Sequence, residues 1–242
     1  MPLTFDMPWD ELRNYQGRTP KPANFDQYWQ DALQTLDQTA PDTEVVPAEF
    51  QTSFAECFDL FFTGAGGARI HAQLVRPGGI GQPQPAVLMF HGYSGKSGDW
   101  SEKLGFAAAG FTVAALDCRG QGGLSEDPGG TKGPTMQGQI IRGLSDAPEK
   151  LLFRQIFLDT VRLARIVMAL PEVDAARVGA TGASQGGGLT LACAALVPEI
   201  KLAAPIYPFL CDYKRVWEID LARDAYYSIT SHSLRFFAKN EK

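Results

Sequence analysis

The sequence predicts an α/β domain, a mostly parallel central sheet with helices on both faces, and three observations carry that reading. A pair of runs that reads as a β-hairpin is followed by an alternation of strand-like and helical segments. The run Ala86-Val87-Leu88-Met89-Phe90 is short and continuously apolar, as in a strand buried on both faces. Finally, Gly182-Ala183-Ser184-Gln185-Gly186 stands between an apolar run and a small-residue helical run. Strand, sharp turn and helix around G-x-S-x-G make a nucleophile elbow, which specifies the α/β-hydrolase version of the fold.

The elements follow in order. Residues 1–24 read as irregular, with prolines at 2, 8, 20 and 22. Asn24 caps a helix, with Gln27 three residues on and Phe25, Trp29, Leu33 and Leu36 at helical spacing. Cys57–Thr63 and Ile70–Arg76 flank Gly64-Ala65-Gly66-Gly67 as a hairpin. After the proline- and glycine-rich loop 77–85 and the strand Ala86–Phe90, a helix over Ser101–Ala109 ends at Gly110, and a strand covers Phe111–Leu116. A loop from Asp117 to about Glu149 is long against a usual connection of about 4–6 residues, which marks it as functional or as an oligomer contact. Leu151–Leu170 carries an apolar stripe of Phe153, Ile156, Phe157, Val161, Leu163 and Ala164, and Pro171 stops it. The strand Arg177–Thr181, the elbow helix and the strand Leu202–Ile206 complete the alternation. The whole of 1–242 is expected to form a single domain, with 1–50 an N-terminal extension holding one helix.

Composition narrows the function. Of the 242 residues, 45% are hydrophobic and 20% charged, the balance of an ordinary globular protein. A net charge of -5 without a Lys/Arg block argues against nucleic acid as a partner. No apolar run approaches about 18 residues, so no membrane span is expected, and the first residues lack the pattern of a secretory signal. Cys57, Cys118, Cys193 and Cys211 form no C-x-x-C pair; they read as free thiols of a reducing compartment rather than a zinc site.

Ser184 is the candidate nucleophile. A serine hydroxyl attacks carbonyls poorly unless a base takes its proton and donors receive the oxyanion. In this fold one donor is the backbone N–H after the nucleophile, here Gln185; the other comes from the loop after an earlier central strand. His91-Gly92-Tyr93-Ser94-Gly95 follows Ala86–Phe90 and offers the Tyr93 N–H. His91 precedes Ser184, whereas the base of this fold follows the nucleophile, so His91 is not assigned as base. Asp117 and Arg119, at the exit of the next strand, are expected to pair with loop N–H and carboxylate groups in a supporting role.

Several segments together give a more specific match. They are Phe5-Asp6-Met7-Pro8 with Glu11-Leu12, Asp26-Gln27-Tyr28-Trp29, His91-Gly92-Tyr93, Asp117 with Arg119-Gly120-Gln121-Gly122, Arg142-Gly143, Gly182 through Gly188, and Pro208-Phe209-Leu210-Cys211-Asp212. In these the chain resembles the acetyl xylan esterase/cephalosporin-C deacetylase family of α/β-hydrolases, nearly end to end. The resemblance implies a serine esterase removing acetyl groups from short xylo-oligosaccharides and related small acetyl esters. It also implies a cytoplasmic enzyme without metal or organic cofactor, assembled as a homohexamer. The alternatives are another α/β-hydrolase, such as a lactone hydrolase or peptidase, and a catalytically inactive remnant serving as a binding or oligomer module.

The triad of this fold runs Ser, then Asp/Glu, then His. Downstream of Ser184 the sole histidine is His232, and Asp212 is among the carboxylates. His232 lies in the polar run Ser231-His232-Ser233, the setting of a solvated histidine, and Asp212 falls in a motif of the resemblance other than the catalytic acid. Val216–Tyr227 reads as helix and 228–242 as a helical or frayed tail. The last strand–helix units, with the acid and base they carry, are therefore expected to be missing from these residues.

Overall fold

A computed structural model describes residues 7–79, 81–130, 139–213 and 215. They belong to two compact units, Met1–Phe25 with Asp212–Lys242 and Asp26–Cys211. In the first unit, α1 (Trp9–Leu12) is a single turn, and the Tyr15 hydroxyl donates to the Asp212 carboxylate. Arg215 lies over the Tyr15 ring at 5.0 Å.

The second unit holds one sheet of seven strands in the order β1-β2-β3-β5-β4-β6-β7. The strands are β1 (Glu44–Pro47), β2 (Ala55–Thr63), β3 (Arg69–Pro77), β4 (Gln84–Phe90), β5 (Thr112–Leu116), β6 (Val173–Ala183) and β7 (Leu202–Ile206). β4 pairs parallel with β5 and β6, and β6 parallel with β7. The hairpin β2–β3 and the pairs β1–β2 and β3–β5 are antiparallel. The sheet is thus mixed, with its parallel half in the strand–helix alternation and its antiparallel half in the hairpin. This is the α/β-hydrolase arrangement.

Period-two alternation sorts the side chains. Cys57, Val75 and Val113 are aligned across β2, β3 and β5, and pack with Ala107 and Leu104 of α3 (Ser101–Ala108). α4 (Leu152–Met168) and α5 (Gln185–Leu196) pack on each other and on β6. The central strand β5 is buried at every residue, in keeping with the apolar run Val113–Leu116 that follows Thr112. At the other extreme, Leu202 of β7 is 77% exposed.

The elements depart from expectation in three places. β1 and the turn α1 lie in the stretch read as an extension with one helix. α4 is buried nearly all round rather than along one stripe. The cause is α2 (Phe25–Asp37), which lies on α4: Trp29 and Phe157 bring their rings to 6.1 Å, and Arg162 of α4 donates to the Leu36 and Thr39 carbonyls at the end of α2. Leu36 O also accepts from Thr39 N at 3.1 Å in the closing turn, and Arg162, reaching the carbonyls of both residues, serves as a C-terminal cap. The loop 117–149 holds short 3-10 turns at Gln139–Ile141 and Pro148–Lys150 among its described residues. The helical segments expected over 216–242 lie outside the described residues.

The topology fixes where a ligand site can form. From β4 the chain crosses to β5 on one side and later returns as β6 on the other. The strand order reverses at β4, and crevices in open α/β sheets open outside the carboxyl ends of strands at such a point. The loops beginning at His91, Asp117 and Ser184 all leave that edge.

Candidate active site

Ser184 stands between β6 and α5 with φ 56° and ψ -117°, a backbone conformation that a residue with a Cβ rarely adopts. Three hydrogen bonds hold it there. Its N–H donates to Ile206 O at 3.0 Å, and its carbonyl accepts from Gly188 N at 3.2 Å and Phe209 N at 2.9 Å. The flanking glycines are demanded by space. A Cβ on Gly182 would strike the Phe90 carbonyl and the Gly186 backbone, and one on Gly186 would strike the Phe90 carbonyl as well. The glycine run continues because the chain leaving β7 lies on α5: a Cβ at Gly187 would come within 2.8 Å of Pro208 Cα, and one at Gly188 would meet the Phe209 carbonyl.

The loop after β4 sits beside this elbow, since Phe90 and Gly182 are register partners across β4–β6. His91 points away from any base role. Its Nδ1 is 2.7 Å from the Gly92 carbonyl and its Nε2 accepts from Cys118 N at 3.0 Å. The carbonyl can only accept, so Nδ1 carries the proton and the ring is neutral. Burial pushes its pKa below the ordinary value, against the opposing pull of the Gly92 bond. The ring thereby ties the β4 loop to the β5 loop.

Further along, Ser94 has φ 59°, and its N–H donates to Gln121 Oε1 at 2.8 Å. Ser97 N donates to Asp117 Oδ1 at 2.6 Å. The buried Lys103 ammonium donates to the carbonyls of Ser97 and Asp99. Tyr93 is therefore carried on a loop anchored before and after it. The Gln185 N–H belongs to the first residue of α5, where no intrahelical acceptor exists.

Asp117 and Arg119 have the partners expected of them. Asp117 accepts from Ser97 N and from Leu124 N at 2.9 Å, and faces His71 Nδ1 at 2.6 Å. Arg119 makes a paired contact with Asp159 of α4 and donates to Ala65 O. His71 has a second carboxylate, Asp59, 2.9 Å from Nε2. Burial disfavours its charge, but the two carboxylates overcome that and raise its pKa. Burial likewise works to raise Asp117, and is outweighed by His71 and the two backbone N–H groups, which hold its carboxyl well below the usual range.

A pH dependence follows from these directions. His71 has a folded pKa above its ordinary 6.5, so its stabilisation is complete below that value and is lost as pH rises through the folded pKa. Asp117 has a folded pKa below its ordinary 3.8, so its contribution is complete above that value and is lost as pH falls toward the folded pKa. The Tm of the protein is expected to decline from pH 6.5 to 9, and His71→Asn to flatten that decline. Equal slopes for the two proteins, measured by differential scanning fluorimetry, would contradict the assignment.

Ser184, the Gln185 N–H and the Tyr93 loop thus gather at one edge. Asp212 is bonded to Tyr15 within the first unit, and His232 lies outside the described residues. Sequence reasoning missed Asp159, His71, Asp59 and Lys103 as supports of the site. Asp159 had a visible signal, a lone carboxylate inside an apolar helical stripe. The linking role of Gln121 had none beyond its place in Arg119-Gly120-Gln121-Gly122.

Comparison with known proteins identifies the family. The family model described as Acetyl xylan esterase (AXE1) matches residues 1–242. The crystal structure of acetyl xylan esterase 1 from Thermoanaerobacterium sp. JW/SL YS485 is 54% identical, with a TM-score of 0.94 over 98% of this chain and 74% of its own. The acetyl xylan esterase from Paenibacillus sp. R4 is 34% identical, with a TM-score of 0.89 over 95% of this chain and 73% of its own. From sequence pattern, elbow geometry and the family match over residues 1–242 together, the chain belongs to the acetyl xylan esterase family of carboxylic-ester hydrolases.

Proposed function

We propose that the protein removes acetyl groups from short acetylated xylo-oligosaccharides and related small acetyl esters of the cephalosporin C type, through an acyl-enzyme on Ser184. The observation that carries the mechanism is the strained Ser184 at the elbow, with the Gln185 N–H after it and the Tyr93 loop beside it. Ser184 Oγ bonds to the acetyl carbonyl carbon while a base takes its proton. The carbonyl oxygen, now an oxyanion, accepts from the N–H groups of Gln185 and Tyr93. The bond between that carbon and the sugar oxygen then breaks, and the sugar leaves as an alcohol with the proton. Water repeats the attack on acetyl-Ser184, freeing acetate and restoring the hydroxyl.

The base and its acid are assigned to neither described histidine, because His71 is held between two carboxylates and His91 between Gly92 and Cys118. The reading includes no metal or organic cofactor, a cytoplasmic location and a homo-oligomer, a hexamer by family resemblance. Four free cysteines support the location, and no described helix is long and apolar enough to cross a membrane.

The test is acyl selectivity. The kcat/KM for p-nitrophenyl acetate is expected to exceed that for the octanoate at least about tenfold, the scale on which a tight pocket discriminates chain length. Acetate should also be released from acetylated xylo-oligosaccharides. A preference for the octanoate, or for peptide substrates, would overturn the assignment.

A further inference from the structure

We infer that Gln121 is the positioning residue of the oxyanion hole, one side chain that sets the two donor N–H groups relative to each other. The inference rests on the roles proposed above for Ser184, Gln185 and Tyr93.

The two donors differ in rigidity. Gln185 begins a helix, and its side chain is fully buried, at 0% exposure. Tyr93 lies on a strand-exit loop, and the next residue, Ser94, holds an unfavourable positive φ of 59°. Such a conformation persists only where surrounding contacts fix it. The N–H of Ser94 is the amide that directly follows Tyr93, and it donates to Gln121 Oε1 at 2.8 Å.

This bond also orients the Gln121 amide. A backbone N–H can only donate, so the atom facing Ser94 is the oxygen, and the nitrogen must face the other way. There Nε2 donates to Gln185 Oε1 at 3.0 Å, and Gln185 Nε2 returns a bond to Gln121 Oε1 at 3.1 Å. Gln185 Nε2 further lies 3.4 Å from His91 O. A single connected path of hydrogen bonds therefore runs from the residue after the nucleophile, through two paired amides, to the peptide after Tyr93. Its backbone frame is set by Gly122, whose N–H donates to Gly95 O at 2.9 Å. The neutral amide supplies an acceptor for Ser94 and a donor for Gln185 at once. A carboxylate would lack the donor and bring negative charge toward a developing oxyanion, and an apolar chain would lack both.

Gln121 touches no reacting atom on this account, so its effect is expected in the transition state rather than in substrate binding. Small misplacements in an active site lower rates by up to about 10²-fold. In Gln121→Met and Gln121→Ala, kcat for p-nitrophenyl acetate should fall at least about tenfold, with KM within about twofold. The Ki of an arylboronic acid, which forms a tetrahedral adduct on the serine, should rise by the same factor as kcat/KM falls. The two variants back each other up should one fail to fold.

A folded variant whose kcat stays within twofold of the parent overturns the inference. So does a fall in kcat that leaves Ki unmoved, because loss of active fraction by general unfolding gives that pattern. Ser184→Ala, assayed alongside, separates the two levels. Retained turnover there defeats the reading of the site itself, whereas an inactive Ser184→Ala beside fully active Gln121 variants defeats only the role of Gln121.

Discussion

With the triad's base and acid in place, Ser184→Ala is expected to lose about 10⁴–10⁶ in kcat toward acetyl esters, the range in which removal of a nucleophile leaves only oxyanion stabilisation and binding. The fold should survive, because the hydrogen bonds that hold residue 184 come from its backbone, through Ile206, Gly188 and Phe209. Alanine inherits the same φ of 56° and the same strain. Ser184→Gly should be equally inactive yet more stable than the parent by about 1 kcal/mol, since glycine occupies such a conformation without steric penalty. The two variants together separate chemistry from strain. A serine kept in an unfavourable turn, where glycine would be more stable, is kept there for its hydroxyl. Mass spectrometry of the parent after brief exposure to a fluorophosphonate should show the adduct on Ser184. Turnover in Ser184→Ala within tenfold of the parent would remove the serine from the mechanism.

Much of this was legible in the sequence, and the reasons are physical. A strand buried on both faces is largely apolar, so β5 announces itself, and β4 does so through the apolar run Ala86–Phe90, although its residues alternate between buried and half-buried. The elbow announces itself because two chains cross at Gly182 and Gly186 with no room for a Cβ. β1 gave no such sign: its four residues are all exposed, and no alternation can be read from them. α4 was readable as a helix, but its second buried face depends on α2, more than a hundred residues earlier. The supports of the site escaped for the same cause. His71 sits in a strand, Asp159 in a helix and Gln121 in a loop, and only the closed sheet brings each to its partner. Sequence pattern reports burial along one element; it does not report which polar residue on another element will meet it.

The contact between Arg119 and Asp159 shows what such a meeting is worth. Their side chains are 4% and 2% exposed. Arg119 Nε and Nη2 reach the two carboxylate oxygens at 2.7 Å each, a bidentate pairing. Arg119 Nη2 also donates to Ala65 O at 2.8 Å, and Ala65 N donates to Asp159 Oδ1 at 2.9 Å. The pair therefore joins the β2–β3 turn, α4 and the loop that carries Gln121. Arg119→Met should destabilise the protein by about 3–5 kcal/mol at pH 8, the usual consequence of leaving one buried charge without its partner. Complete burial already pushes the Asp159 carboxyl up, against the pull of Arg119. With Arg119 gone nothing of comparable strength opposes that push, and the folded variant binds a proton that the unfolded chain releases above its ordinary 3.8. The destabilisation should consequently shrink as pH falls below the raised folded value, the opposite of acid denaturation by a lost salt bridge. Arg119→Met combined with Asp159→Leu removes both charges and should recover part of the loss. About 1–3 kcal/mol should remain, because Ala65 keeps a buried N–H and carbonyl without their partners. Urea unfolding of the three proteins at pH 5.5 and pH 8 measures all of this. If the double variant is no more stable than Arg119→Met, the energy lies in the hydrogen bonds to Ala65 rather than in charge pairing.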